Sequence, residues 1–130
     1  MFKKGDEFIE LFCVDERVYS LFIEAFNDRN PLHTNSAFAQ EKKFTDKVMH
    51  GNILGGFLSF FIGECLPLKN IIIHSQDIKY CAPVYMNDKL KLKVEVDDFF
   101  ESVQTVLFKF VYENGNNRIV AKGKIQIGII

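Results

Sequence analysis

Tryptophan is missing from this chain, and proline and cysteine are scarce, with three residues of each in 130. The three cysteines (Cys13, Cys65 and Cys81) are an odd number and have no Cys-x-x-Cys spacing. They therefore support neither a disulfide framework nor a zinc site. We expect free thiols and a reducing, cytoplasmic setting.

An excess of one charge is also absent, since the formal net charge is −1 at pH 7. Nucleic-acid-binding proteins usually carry a basic balance or a basic stripe, so DNA and RNA are not expected partners. The longest apolar stretch, Ile53 to Ile62, is much shorter than the roughly 20 residues that span a bilayer. Residues 1–7 lack the apolar core of a secretory signal. We expect neither a membrane span nor a signal peptide.

The composition that remains is that of a globular protein, with 48% hydrophobic and 25% charged residues. A chain of this length predicts one domain, residues 1–130. A strand is indicated over residues 6–13, and the acidic pair Asp15-Glu16 indicates the start of a helix. That helix has one apolar stripe and is predicted to end at Asn27. The stripe consists of Val18, Leu21, Phe22, Ala25 and Phe26.

Residues 51–66 are apolar around nearly the whole circumference of a helix, and Pro67 marks the end of that segment. A helix of this kind must be enclosed by other structure. Gly55 and Gly56 lower its helix propensity by about 1 kcal/mol each relative to alanine. We therefore expect a neighbouring backbone to pack closely against the two glycines.

After Pro67 the apolar period changes from 3.6 to 2 residues, which is typical of strands. Strands are predicted over residues 71–81, over the alternating segment containing Leu90 and Val96, and over residues 103–113 and 118–128. The last two are joined by a turn at Asn114–Asn117. Together with the enclosed helix, they predict an α+β fold in which a curved antiparallel sheet wraps round a central helix. His74, within the first of these strands, is interpreted as structural.

Candidate site residues begin with the segment Asp28-Arg29-Asn30-Pro31-Leu32-His33. Because a proline prevents a regular helix between Asp28 and His33, we expect an irregular loop that aims both side chains at one point. The alternative is that Asp28 and Asn30 only form a turn ahead of the proline. A short helix is predicted over residues 36–43, with Ala37 and Phe38 turned inward.

This segment, followed by Ala39, resembles the signature of the MaoC-like, (R)-specific enoyl-CoA hydratases. The similarity continues with His50-Gly51 at the start of the central helix and Ser59 inside it. It covers about residues 18–127 and is weaker toward the C-terminus, at Ile78–Pro83 and Asn87-Asp88. Many relatives have glycine where this chain has Asn27, and asparagine also tolerates left-handed backbone geometry.

The resemblance implies a hot-dog fold and a hydro-lyase that interconverts trans-2-enoyl and (R)-3-hydroxyacyl thioesters. Asp28 would be the base and His33 its partner, and together they would hold one water molecule. The backbone N–H of Gly51 would polarise the thioester carbonyl, helped by the helix dipole. The alternative for Gly51 is a glycine needed for a tight turn into the helix.

Three further side chains are candidates for the substrate site. Asn30 is expected to hold the loop and orient the catalytic groups, and His50 to build the loop or act as a second imidazole. Ser59 is expected either to touch the Asp28/His33 pair or the substrate, or to bond the carbonyl one helical turn back. No metal and no cofactor is expected apart from a coenzyme A thioester as substrate, although Asp28, His33 and His50 are the one set that could hold zinc.

Two other functions remain open at this point. A hot-dog thioesterase would need a carboxylate or glutamine on the central helix, where the chain offers only Glu64. A non-catalytic acyl-thioester-binding domain would have no need of both Asp28 and His33.

The expected partner is an acyl-CoA or acyl-carrier-protein thioester. A second copy of the chain is also expected, as a homodimer or a dimer of dimers. The motivation for this assembly is apolar surface that one curved sheet cannot cover, including Phe99, Phe100 and Ile129-Ile130.

Overall fold

The structure, a computed structural model, describes all residues from Met1 to Ile130. Five antiparallel strands form one sheet in the order β1-β3-β4-β5-β2. The strands are β1 (Glu7–Cys13), β2 (Ile71–Tyr80), β3 (Lys89–Phe100), β4 (Thr105–Glu113) and β5 (Ile119–Ile129). The α-helices are α1 (Glu16–Phe26), α2 (Pro31–Thr34), α3 (Ser36–Glu41) and α4 (Asn52–Phe60), and α4 continues as a π-helical turn, Phe61–Cys65.

The sheet buries the alternate apolar residues of β3 against the central helix α4. Leu92 and Val96 are fully buried, and Leu54 and Leu58 on α4 are 2% and 0% exposed. Tyr112 on β4 donates a hydrogen bond from its hydroxyl group to the carbonyl of Leu54 over 2.8 Å. Period-2 burial on the strands and the apolar helix thus produce the predicted α+β architecture, with one core between sheet and helix.

Strands β1 and β2 are the two edges of the sheet. β2 pairs with β5 alone, and its register shifts between Ile73 and Ser75. The bulged residue, His74, lies over Gly128, where a Cβ atom would come within 2.5 Å of the imidazole ring. His74 Nδ1 lies 3.1 Å from the side-chain amide of Gln126. His74 thus contacts β5 and lies outside the cavity of Asp28 and His33, and its structural role stays a prediction.

One face of α4 is not covered by the chain. Gly56 and Ser59 are exposed, and Phe60 is 52% exposed. The nearest atom to a Cβ at Gly55 would be the side-chain nitrogen of Gln76, at 3.7 Å, and Gly56 would meet nothing within 4 Å. The predicted close approach of a backbone to these glycines is therefore wrong within the chain, because β2 passes α4 at side-chain distance and no other element covers this face.

Helix α3 buries a different alanine from the one predicted. Ala39 is fully buried, whereas Ala37 is exposed and Phe38 half-buried. The helix begins at Ser36 as predicted, with Asn35 as its N-cap, so the error lies in which face of α3 packs against the rest of the protein. The prediction for Ala37 is therefore wrong.

The three cysteines are free. No helix is both long and apolar enough to span a membrane.

Candidate active site

Asp28 is delivered by the end of α1. That helix begins where the side chain of Asp15 accepts a hydrogen bond from the N–H of Val18 over 2.9 Å. It ends at Asn27, whose φ of 60° turns the chain out of the helix. Asparagine is one of the few residues other than glycine that adopt this left-handed conformation readily. The departure from glycine at this position thus leaves the predicted turn intact.

His33 lies on the short helix α2, which begins at Pro31. The expectation that the whole Asp28–His33 segment is irregular is wrong, because proline needs no N–H partner at the first position of a helix and its φ suits that position. Asn30 caps α2 by accepting a hydrogen bond from the N–H of Leu32 over 3.0 Å. Only residues 28–30 are irregular. By capping α2, Asn30 fixes the chain between Asp28 and His33.

The side chains of Asp28 and His33 face each other with His33 Nε2 and Asp28 Oδ2 4.0 Å apart. This separation is too long for a direct hydrogen bond. His33 Nδ1 lies 2.7 Å from the carbonyl oxygen of Val48. Because a carbonyl only accepts, Nδ1 carries the hydrogen, and in the neutral ring Nε2 presents a lone pair toward Asp28. The pair therefore offers two acceptors across a gap that one bridging water molecule can fill.

A cavity of about 510 Å³ contains this pair. It lies between the end of α1, the start of α4 and the segment that follows β2. Its size is that of small-molecule sites, and most of its lining is apolar. The polar side chains of Asp28, His33 and His50 line it together with Gly51, Phe22, Phe44 and the segment Tyr80–Val84.

Gly51 precedes the first residue of α4 and has an ordinary right-handed conformation, with φ −59° and ψ −35°. The alternative of a glycine needed for a tight turn is therefore not supported by the backbone. A Cβ atom at Gly51 would instead lie 2.8 Å from the ring of Tyr80. The Gly51 N–H donates to no backbone carbonyl or side chain of the protein, which leaves it free at the positive end of α4.

Apart from residues counted as hydrophobic, such as Tyr19 and Tyr112, His50 is the one buried residue, at 3% exposure. Its Nε2 lies 2.9 Å from the carbonyl oxygen of Asp28. Its ring is stacked on that of His33, with centroids 4.0 Å apart and an angle of 28° between the planes. Burial lowers the pKa of the His50 imidazole.

One ligand atom each from Asp28, His33 and His50 lies within 4.8 Å of the others, so the candidate metal-binding set is brought together. The lone pairs of an imidazole lie in the plane of its ring. The ring centroids are 4.0 Å apart and the planes are inclined by only 28°, so the in-plane lone pairs run nearly side by side and do not converge on one ion at a bond length of about 2 Å. The two stacked rings are therefore poorly placed to share one ion.

A family model described as the MaoC like domain matches residues 14–116. An (R)-specific enoyl-CoA hydratase from Aeromonas caviae is 35% identical over 108 residues, covering 82% of this chain and 81% of that protein. A 3-hydroxybutyryl-CoA dehydratase from Methylorubrum extorquens is 36% identical over 75 residues, 58% of this chain and 48% of its own length. This second match thus spans about half of the relative.

The solved structure of an R-hydratase from Pseudomonas aeruginosa superimposes with a TM-score of 0.89 at 26% identity, covering 98% of this chain and 82% of that one. This chain belongs to the MaoC-like family. The predicted hot-dog fold is confirmed, and the predicted reaction class, hydration of an enoyl thioester or the reverse dehydration, agrees with the names of these relatives.

Ser59 is the predicted residue that this MaoC-like chain does not bring to the site. It is exposed on the uncovered face of α4 and does not line the cavity that holds Asp28 and His33. Its hydroxyl group also makes no hydrogen bond to the carbonyl one turn back. Ser59 follows Asn52 and Gly56 along one face of α4, and of these three residues only Asn52 lines the cavity of the pair.

Tyr80 is a residue of the site that the sequence did not single out by itself. Its ring closes over Gly51, and its hydroxyl group lies 3.4 Å from the side-chain oxygen of Asn52. Burial of the ring raises the pKa of its phenol group. Alternation along β2 places Tyr80 on the same face as the half-buried Ile78, which is the signal that points it toward α4.

Glu64 does not supply the carboxylate that a thioesterase would use. It lies exposed on the π-helical turn after α4, and its carboxylate is 3.6 Å from Lys69 Nζ. The cavity lining contains no glutamate or glutamine. The hydrolase alternative therefore has no carboxylate on the central helix at this site.

Proposed function

We propose that this MaoC-like domain adds water to trans-2-enoyl thioesters to form (R)-3-hydroxyacyl thioesters, and catalyses the reverse dehydration. The observation that carries the proposal is the opposed pair of Asp28 Oδ2 and His33 Nε2, 4.0 Å apart in one cavity. A non-catalytic binding domain has no use for two such acceptors. The relatives that are named hydratases and dehydratases support the same chemistry.

In the hydration direction, the Asp28 carboxylate and His33 Nε2 hold one water molecule through its two hydrogens. This arrangement turns the water oxygen toward the β carbon of the substrate. One O–H bond breaks as the new C–O bond forms, and the proton moves to Asp28 as base. Asp28 then gives that proton to the α carbon of the substrate. The product therefore contains one added water molecule, and Asp28 and His33 return to their starting protonation states.

Negative charge develops on the thioester oxygen while the β carbon is attacked. The free N–H of Gly51 stands at the N-terminus of α4, where the helix dipole also favours negative charge. We assign Gly51 the task of binding this oxygen. Asn30 and His50 are assigned to the frame of the pair, since they bond the backbone of Leu32 and Asp28.

No metal enters this scheme, because the carbonyl is polarised by a backbone N–H and the water by two side chains. Incubation with EDTA followed by desalting should leave the hydration rate unchanged. Loss of activity that added zinc restores would instead assign Asp28, His33 and His50 to a metal.

The catalytic unit that we propose is a homodimer. The cavity is open beside the catalytic pair, since the side chain of Asp28 is 46% exposed. The ten-residue edge strand β2 has an unpaired side, and the adjoining face of α4 is uncovered. A second copy that extends the sheet through β2 would cover both. Phe99 contributes less uncovered apolar surface than expected, because its ring packs edge-on against Phe2 with centroids 6.3 Å apart.

The decisive assay uses crotonyl-CoA and follows the absorbance of its conjugated thioester. A hydratase removes this absorbance without releasing thiol and reaches the same equilibrium from (R)-3-hydroxybutyryl-CoA. A saturated acyl-CoA should remain intact. Thiol release from the saturated compound would contradict the reaction class, and activity with the (S) isomer alone would contradict the stereochemistry.

The acyl chain length and the carrier are tested with the same assay. A panel of enoyl-CoA substrates of increasing length defines the chain length. Crotonyl-loaded acyl carrier protein at matched concentration distinguishes the two carriers through kcat/KM.

A further inference from the structure

The site contains two histidine side chains, and one of them, His50, is buried. His50 is 3% exposed and lies two residues before the start of α4, next to Gly51. Its ring packs at 4.7 Å from that of Phe22 and at 5.8 Å from that of Tyr19. Burying a polar group without a full set of hydrogen bonds carries a cost of about 1–3 kcal/mol. Such a residue calls for a function that leucine or phenylalanine could not supply.

The hydrogen bond to Asp28 determines which nitrogen of His50 carries the hydrogen. The carbonyl oxygen of Asp28 can only accept, so Nε2 is the donor across the 2.9 Å contact. Nδ1 then keeps its lone pair, and no protein group bonds to it. Burial, and to a smaller extent the neighbouring His33, lower the pKa of His50. The ring is therefore a neutral donor that bonds the backbone of the catalytic aspartate.

The face of the His50 ring packs against the side chain of His33, the other catalytic residue. The rings of His33 and His50 are stacked at 4.0 Å, while the Nδ1 of His33 is held by Val48 over 2.7 Å. A third contact comes from Tyr19, whose hydroxyl group donates to the carbonyl of His33 over 2.6 Å. His33 is thus restrained at its backbone, its edge and its face, and the face is restrained by His50.

We infer that His50 is a positioning residue, which sets the separation of Asp28 and His33 by bonding the backbone of one and stacking on the ring of the other. This inference rests on the proposed function of the pair. The gap between the pair must match one water molecule, and a misplacement of about 1 Å can reduce a rate by about a hundredfold. His50 acts on the reacting atoms only through these two residues.

The test separates the two contacts with variants of similar size. His50→Phe keeps a ring against His33 but removes the donor, and His50→Gln keeps an N–H at the position of Nε2 but removes the stack. His50→Ala removes both. With crotonyl-CoA, the alanine variant should lose at least about tenfold in kcat with KM within about threefold, since the transition-state arrangement is disturbed and not the binding of the thioester. The phenylalanine and glutamine variants should each recover part of the loss.

A loss of folding is excluded by a matched control in the core. Phe108→Leu removes buried volume beside Phe2 and Phe61, away from the site, and should reduce the unfolding midpoint while leaving kcat unchanged. Each His50 variant is compared with it at equal fraction folded. A His50→Ala protein that keeps kcat within about twofold, or one that raises KM alone, would overturn the inference.

Asp28→Asn, measured in parallel, separates this inference from the function on which it rests. If Asp28→Asn retains wild-type hydration, the proposed function and the role of His50 both fail. If Asp28→Asn is inactive and His50→Ala is not impaired, only the role of His50 fails.

Discussion

The two sides of the catalytic cavity differ in how much of their surroundings one chain supplies. On the side of Asp28 and His33, hydrogen bonds within residues 27–50 hold the carbonyl of Asp28, the N–H of Leu32 and the ring of His33. On the side of β2 and α4, Ser59 and Gly56 face open space, and Ile73 is 37% exposed. The first side is a local structure that depends on nearby sequence. The second is a surface that the chain leaves uncovered and that the proposed second copy would cover.

The largest expected effect comes from variants on the side of the cavity that holds Asp28 and His33. Asp28→Asn is nearly isosteric and should abolish hydration of crotonyl-CoA, and His33→Ala should reduce it almost as far. The loss of a positioned acid or base typically costs about a hundredfold to ten-thousandfold in rate. Circular dichroism and the unfolding midpoint should stay close to wild type because both side chains lie at the cavity wall. Activity within about threefold of wild type in both variants would refute the assignment.

The next prediction addresses the open side. Ile73→Glu places a charge on the edge strand β2, and charged residues at sheet edges oppose pairing with another strand. Sedimentation at micromolar concentration should give twice the chain mass for wild type and a value near 15.0 kDa for the variant. Val103→Glu, at a residue 67% exposed outside β2 and α4, is the control and should remain dimeric. A wild-type protein with the mass of one chain would contradict the homodimer.

A smaller effect is expected where the two sides meet, at Gly51 beneath Tyr80. Gly51→Ala would place a methyl group 2.8 Å from the Tyr80 ring, and overpacking of this kind typically costs about 1–3 kcal/mol. Urea denaturation should show this decrease in the free energy of unfolding. Adding Tyr80→Ala should recover part of it relative to Tyr80→Ala alone. An additive double mutant would show that the ring does not determine the need for glycine.

The smallest expected effect is a pH dependence of the free energy of unfolding that comes from His50. Because burial lowers the pKa of folded His50 below its ordinary 6.5, the unfolded chain binds more protons as the pH falls through that value. The free energy of unfolding should therefore be largest above about pH 6.5 and decrease below it. Urea titrations of wild type and His50→Phe between pH 5.5 and 7.5 test this contribution. Equal pH slopes in the two proteins would exclude it.

Several details of this site could not be predicted from local patterns. Pro31 was expected to break a helix but begins one, because the same ring that removes a hydrogen bond inside a helix removes nothing at its first position. Ala37 and Ala39 differ by two positions, and only the packing of α3 against the rest of the protein decides which of them is buried. The glycine at position 51 has an ordinary φ, so its requirement depends on Tyr80, 29 residues away in sequence.

The sequence by itself determined the α+β class, the burial of alternate residues in β3, the cap at Asn27 and the family to which the pair Asp28 and His33 belongs. These follow from short-range periodicity, from capping chemistry and from a motif whose residues lie close together along the chain. Only the tertiary structure decided that β2 lies beside β5, that His50 touches both members of the pair, and that Ser59 lies outside their cavity. These depend on contacts between segments far apart in sequence, whose geometry is set by how the sheet curves round α4 and not by any local pattern.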